Sequence, residues 1–169
     1  MINTILTLFT IMNLCRKVFT ALRGKELSAP QNKFQKTREG IAMFNTLIVE
    51  DNADFRQILL NLLHYQFPSM VLDEADSVEV ALEKIKRRLP NLVFLDIRLP
   101  GENGLELTRK LKCSYPETII VILTSYDLPE YREVASQHGA NYFISKGGIS
   151  TADEILKVVQ AIVSNQGLS

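Results

Sequence analysis

The sequence predicts an α/β domain built on a parallel sheet of five strands with helices wound over both faces. From Phe44 onward, short apolar or β-branched runs alternate with amphipathic helical patterns, five of each. Such alternation requires right-handed crossovers, which cover a parallel sheet on both sides. Two of the runs, "NLVFLD" and "ETIIVILTS", are apolar without alternation, as strands buried on both faces are. The helical patterns also begin and end on residues that favour helix termini.

In order, "FNTLIVE" reads as the first strand. "DFRQILLNLLHYQF" places Phe55, Ile58, Leu59, Leu62 and Leu63 at helical spacing. "SMVLDEA" is a second, more mixed strand, and "SVEVALEKIKRRL" opens on a Ser suited to an N-cap and closes on basic residues. "NLVFLD" is the third strand and "NGLELTRKLKCSY" the third helix. "ETIIVILTS" follows as the fourth strand. "LPEYREVASQHG" carries Pro129 near its first turn and Gly139 at its end, both helix punctuation. "NYFISK" is the fifth strand and "STADEILKVVQAIVSNQG" the last helix. The chain stops soon after it, so no C-terminal output domain and no direct DNA binding are expected.

The 169 residues carry a formal net charge of zero, which by itself points to neither nucleic acid nor membrane. The balance is uneven along the chain, however. Residues 1–42 hold seven Lys or Arg against two acids, leaving twelve against seventeen for residues 43–169. A basic leader therefore precedes an acidic domain. The leader opens on "MINTILTLFTIMNLCRKVFTALRG", uncharged until Arg16. That stretch is shorter than the roughly 20 residues a spanning helix needs, and it lacks the basic start and clear cleavage site of a secretory signal. "GKELSAPQNKFQKTREG" then reads as a linker. A disordered or weakly helical extension, or an upstream start codon with Met43 as the true beginning, is preferred to a helix lying on a membrane. Two cysteines, Cys15 and Cys113, lie far apart without metal-like spacing, so a disulfide framework is not expected and a cytoplasmic setting is the simplest. His64 and His138 are the two histidines. Both read as structural, His138 in the last turn of a helix.

Ligands of such sheets bind beyond the carboxyl ends of the strands. There the sequence gathers Glu50 and Asp51 after strand 1, Asp96 after strand 3, Thr124 on strand 4 and Lys146 after strand 5. Clustered carboxylates repel one another, and a hard divalent cation such as Mg²⁺ relieves that repulsion through oxygen ligands. An ammonium and a hydroxyl beside them can hold phosphoryl oxygens. A carboxylate in this company is a plausible nucleophile toward phosphorus. Taken singly, each residue has a plainer role: Asp51 or Asp54 as a helix N-cap, Thr124 as a strand end, Lys146 as a solvated charge, Asp96 as a loop cap. The combination, in strand order, is what favours phosphoryl chemistry.

These residues resemble the receiver domain of response regulators in two-component signalling. The likeness covers residues 44 to about 165. "DIRLPGENG" fits the pattern D-x-x-[ML]-P-x-x-[DN]-G around the phosphoacceptor, "LIVEDN" the acidic pair, "VILTS" the hydroxyl residue and "GANYFISK" the strand bearing an aromatic and the lysine. The resemblance implies a flavodoxin-like fold with strand order 2-1-3-4-5 and Mg²⁺ as cofactor. It implies that Asp96 accepts a phosphoryl group from a sensor histidine kinase or phosphotransfer protein. Asp51 would ligate the metal directly, Glu50 mainly through water, and Arg98 through its backbone carbonyl. Thr124 and Lys146 would bind the phosphoryl group. Thr124 and Phe143 would then switch a surface of helix 4, strand 5 and helix 5 that docks a downstream protein. The chain departs from the family pattern in having Glu50 for the usual Asp, Phe143 for Tyr, and Gly147 where a cis proline is usual. A cis Lys-Gly bond would cost roughly 2.5–4 kcal/mol, so a trans bond is expected. The rival reading, a Mg-dependent aspartyl-phosphate phosphatase or phosphotransferase of the dehalogenase-like class, needs a second Asp where Arg98 stands. The chain is therefore expected not to be an enzyme beyond its own phosphorylation and dephosphorylation.

Overall fold

The computed structural model describes residues 43–148 and 150–165. The leader, residues 1–42 with Cys15, lies outside them, and so do the expectations attached to it. Five strands and five helices alternate: β1 (Asn45–Val49), α1 (Ala53–Gln66), β2 (Val71–Ala75), α2 (Val78–Arg87), β3 (Leu92–Leu95), α3 (Gly104–Ser114), β4 (Ile119–Thr124), α4 (Pro129–Gln137), β5 (Tyr142–Ser145) and α5 (Thr151–Asn165). All strand pairs are parallel, in the order β2-β1-β3-β4-β5. The fold is therefore flavodoxin-like, as expected. No described helix is long and apolar enough to cross a membrane.

Burial along the strands explains their differing sequences. β3 is buried at every residue, and β4 at every residue but its first, so both can be apolar throughout. β2 lies on the sheet edge, and there Asp73 and Glu74 are exposed. Strand alternation divides the core in two. Leu47, Val49, Val93, Leu95, Ile120 and Ile122 face Ala81 and Ile85 of α2, Leu107 and Leu111 of α3, and Ala135 of α4. Ile48, Phe94, Val121, Leu123 and Ile144 face Leu59 and Leu63 of α1 and Ile155, Val159 and Ile162 of α5.

The helix ends follow side-chain chemistry, with two corrections. Ser77 caps α2 through Val80 N, and Pro129 opens α4, as read. Neither Asp51 nor Asp54 caps α1. Asn52 does, accepting from Phe55 N at 3.0 Å, because its side chain stands one position before the first helical residue. His138 lies just past the last turn of α4, and its Nδ1 sits 2.8 Å from the Leu105 carbonyl. It ties α4 to α3, a structural role, and Gly139 then turns the chain at φ +90°.

Candidate functional site

The carboxyl ends of the strands bring together most of the residues singled out above. Glu50, Asp96 and Lys146 each stand one residue beyond their strands. Their backbone N–H groups nevertheless continue the ladder, to Ala75 O at 2.9 Å, Val49 O at 3.0 Å and Thr124 O at 2.8 Å respectively. The sheet therefore fixes all three Cα positions while leaving the side chains free to converge on its edge.

They converge around Lys146. Its ammonium donates to Asp96 Oδ2 at 2.9 Å and also forms an ion pair with Glu50 Oε2. The Phe55 ring lies 4.7 Å from the same nitrogen, an apolar backing with cation–π character. Asp96 Oδ1 accepts from Ile97 N at 2.7 Å. At 7% exposure Asp96 is buried more deeply than its place at a strand end suggests, and Glu50 is at 3%. Burial pushes the Glu50 carboxyl above its ordinary value of 4.5, against the opposing pull of its hydrogen bond to Lys146. One lysine thus compensates two buried acids.

Asp51 is exposed, yet a carboxylate oxygen of each of Glu50, Asp51 and Asp96 lies within 4.8 Å of the others. A set of carboxylate oxygens open to solvent on the Asp51 side fits Mg²⁺, which favours oxygen ligands and keeps several waters. Thr124 is fully buried, and its Oγ1 accepts from Tyr126 N at 3.3 Å. Arg98 is exposed, and its guanidinium stacks on the Tyr126 ring, 3.7 Å from the centroid. Phe143 is half-buried on β5. Arg132 of α4 lies 4.5 Å from its ring centroid and is held by Asp127 through two hydrogen bonds of 2.5 and 2.9 Å. The guanidinium keeps the Asp127 carboxyl below its ordinary value.

Two loops carry local reasons for their sequence. In "LPGENG", Asn103 caps α3 by accepting from Leu105 N at 2.8 Å, and Gly104 N donates to Ile97 O at 2.9 Å. A Cβ on Gly104 would stand 1.9 Å from the Asp96 carbonyl oxygen. Only glycine lets α3 begin against the Asp96 backbone. After Lys146 the peptide bond to Gly147 is trans, as expected. Thr151 holds the loop, its Oγ1 lying 2.9 Å from Ser145 O and 2.7 Å from Gly148 O.

One residue escaped the sequence reading. Arg56 of α1 donates from Nη1 to Glu50 O at 2.6 Å and to Asp51 O at 3.4 Å, and from Nε to Glu74 Oε2 at 2.9 Å. A cation at the start of a helix opposes the macrodipole, and that misfit was the available signal.

The fold and this edge define a doubly wound α/β module whose buried acids share one lysine. The family model for the response regulator receiver domain matches residues 46–160. The response regulator GacA of Pseudomonas viridiflava is 31% identical over 120 residues, which are 70% of this chain and 56% of that protein. The protein-glutamate methylesterase/protein-glutamine glutaminase 1 of Syntrophus aciditrophicus is 30% identical over 128 residues, 71% of this chain and 37% of that one. Among solved structures, the receiver domain of NtrX from Brucella abortus superposes with a TM-score of 0.64 at 30% identity, covering 70% of this chain and 98% of that one. The chain belongs to the response regulator receiver domain family of two-component signalling. It spans about half the length of the curated relatives it matches. Receiver domains bind Mg²⁺ at an acidic pocket, and the Glu50, Asp51 and Asp96 cluster corresponds in chemistry to one. Nothing in these comparisons favours the dehalogenase-like alternative.

Proposed function

We propose that residues 43–169 act as a phosphorylatable switch in which Asp96 accepts a phosphoryl group from a sensor histidine kinase or a phosphotransfer protein. The observation that supports this most is the Asp96 carboxylate, held by the Lys146 ammonium and Ile97 N–H within the acidic cluster. In the transfer the P–N bond of a phosphohistidine breaks, its electron pair leaving with the imidazole nitrogen, while a P–O bond forms to Asp96. Mg²⁺ supplies charge neutralisation for the phosphoryl oxygens when bound. Asp51, Asp96 and the Arg98 carbonyl would hold it directly, and Glu50 would act through water. Lys146 follows the negative charge from the carboxylate to a phosphoryl oxygen, and the Thr124 hydroxyl donates to another. The chain works as a signalling switch, acting on no substrate beyond its own aspartyl phosphate, in the cytoplasm.

The output proposed is a population shift in the surface of α4, β5 and α5, coupled to Thr124 and Phe143, that changes docking of a downstream protein. Lacking a hydroxyl, Phe143 acts through packing alone. Acetyl phosphate with Mg²⁺ is expected to add one phosphoryl group to the wild-type chain by intact mass and none to Asp96→Asn. The same mass gain in the two proteins, or no gain in the wild type, would overturn the reading.

A further inference from the structure

We infer that Arg56 is a positioning residue that sets the metal-binding geometry of the acidic pair, an inference resting on the Mg²⁺ reading of the Glu50, Asp51 and Asp96 cluster. The turn between β1 and α1 carries two of the three clustered carboxylates on consecutive residues, Glu50 and Asp51. Their side chains can meet one ion only if the backbone between them keeps a fixed course. Glu50 N is tied to Ala75 O, and Asn52 N reaches Glu50 Oε1 at 3.3 Å. The carbonyls of Glu50 and Asp51 lie outside the sheet ladder, and the Arg56 guanidinium takes both. Its Nε is in turn held by Glu74 at the end of β2, so the head group is fixed from a second strand. The Arg56 side chain is 17% exposed against 47% for Glu74. The arginine is therefore packed inward, and the glutamate orients it from the rim.

The planar fork of arginine makes this arrangement, since three acceptors are met from two sides of one rigid group. A lysine offers the same charge at a single point and cannot reach both carbonyls and Glu74 together. Charge and geometry predict opposite signs. If Arg56 acted by charge alone, its removal would relieve repulsion and tighten binding of a cation nearby. If it acts by holding the turn, its removal loosens the site, as loss of groups that orient metal ligands does.

Isothermal titration of MgCl₂ into the full chain separates the two, with urea melts in EDTA to confirm that each variant is folded. Arg56→Gln and Arg56→Lys are both expected to weaken Mg²⁺ binding by about tenfold. Glu74→Gln, on the exposed side of the pair, is expected to weaken it by a smaller factor and keeps the test open should an Arg56 variant fail to fold. Tighter or unchanged binding in Arg56→Gln, or full rescue by Arg56→Lys, would overturn the inference. A wild-type chain that binds no Mg²⁺ would instead overturn the Mg²⁺ reading beneath it.

Discussion

The two ends of the sheet satisfy their polar groups in opposite ways. At the amino end, asparagines that precede strands act as neutral clamps. Asn91, before β3, accepts from Asn45 N at 2.8 Å through Oδ1 and donates its own N–H to Asn45 O at 2.8 Å. Asn141, before β5, repeats the device on Ile120, with 2.9 Å to Ile120 N and 2.8 Å to Ile120 O. Each clamp is closed within a pair of neighbouring strands. At the carboxyl end the buried groups are ionisable, and their compensation crosses the sheet, from Lys146 after β5 to Asp96 and Glu50 after β3 and β1. Neutral, local closure gives a static edge. Charged closure through one shared cation gives an edge whose balance changes when charge is added.

The largest effect that sharpens this contrast is expected from Lys146→Met. Removing the cation leaves Glu50 and Asp96 buried without it, and breaking a buried pair costs about 3–5 kcal/mol. Urea melts in EDTA should show that loss at neutral pH and its shrinkage on acidification. The sign follows from Glu50, whose carboxyl is raised above 4.5 in the fold. Such a group favours folding fully below 4.5, while protonated, and that contribution disappears as pH rises through the raised value. A loss of stability independent of pH would mean that packing, not charge, is what Lys146 supplies. Asn141→Ala should cost less, about 1–2 kcal/mol, by leaving the buried Ile120 N–H unpaired. Its effect should not vary with pH in the same melts, and a pH dependence would break the comparison. Smallest is Thr46→Val on β1. The Thr46 hydroxyl is buried and has no hydrogen-bond partner among the described residues. Replacing it by a methyl should leave stability unchanged or raise it by about 0.5–1 kcal/mol. A clear loss by thermal melt would show that the hydroxyl does have a partner.

How much of this was legible in the sequence depended on range. Apolar runs and cap residues are local, so the strands and helices could be read from them, and the strand order came from the family motifs. The acids and the lysine were legible because a parallel sheet delivers every strand end to one edge. What escaped were contacts between distant residues that no local pattern encodes. Lys146 reaching Glu50 as well as Asp96 depends on side-chain length across the sheet. Asn91 and Asn141 read as the first residues of strands, whereas their side chains stand in for backbone acceptors on a neighbour. Thr151 taking over the loop after Gly147 follows from where α5 begins. Arg56 was visible only as a cation on the wrong end of a helix.

One consequence of Arg56 lies in electroneutrality. Glu50, Asp51, Asp96 and Glu74 bring four formal negative charges to the carboxyl edge, and Arg56, Arg98 and Lys146 bring three positive ones. The edge therefore carries one formal negative charge. A divalent cation alone would take it to +1, and conversion of the Asp96 carboxylate to an aspartyl phosphate dianion alone would take it to −2, whereas the two together would bring it to zero. Thermodynamic linkage would then make the cation favour the phosphorylated form by the same factor as phosphorylation raises affinity for the cation.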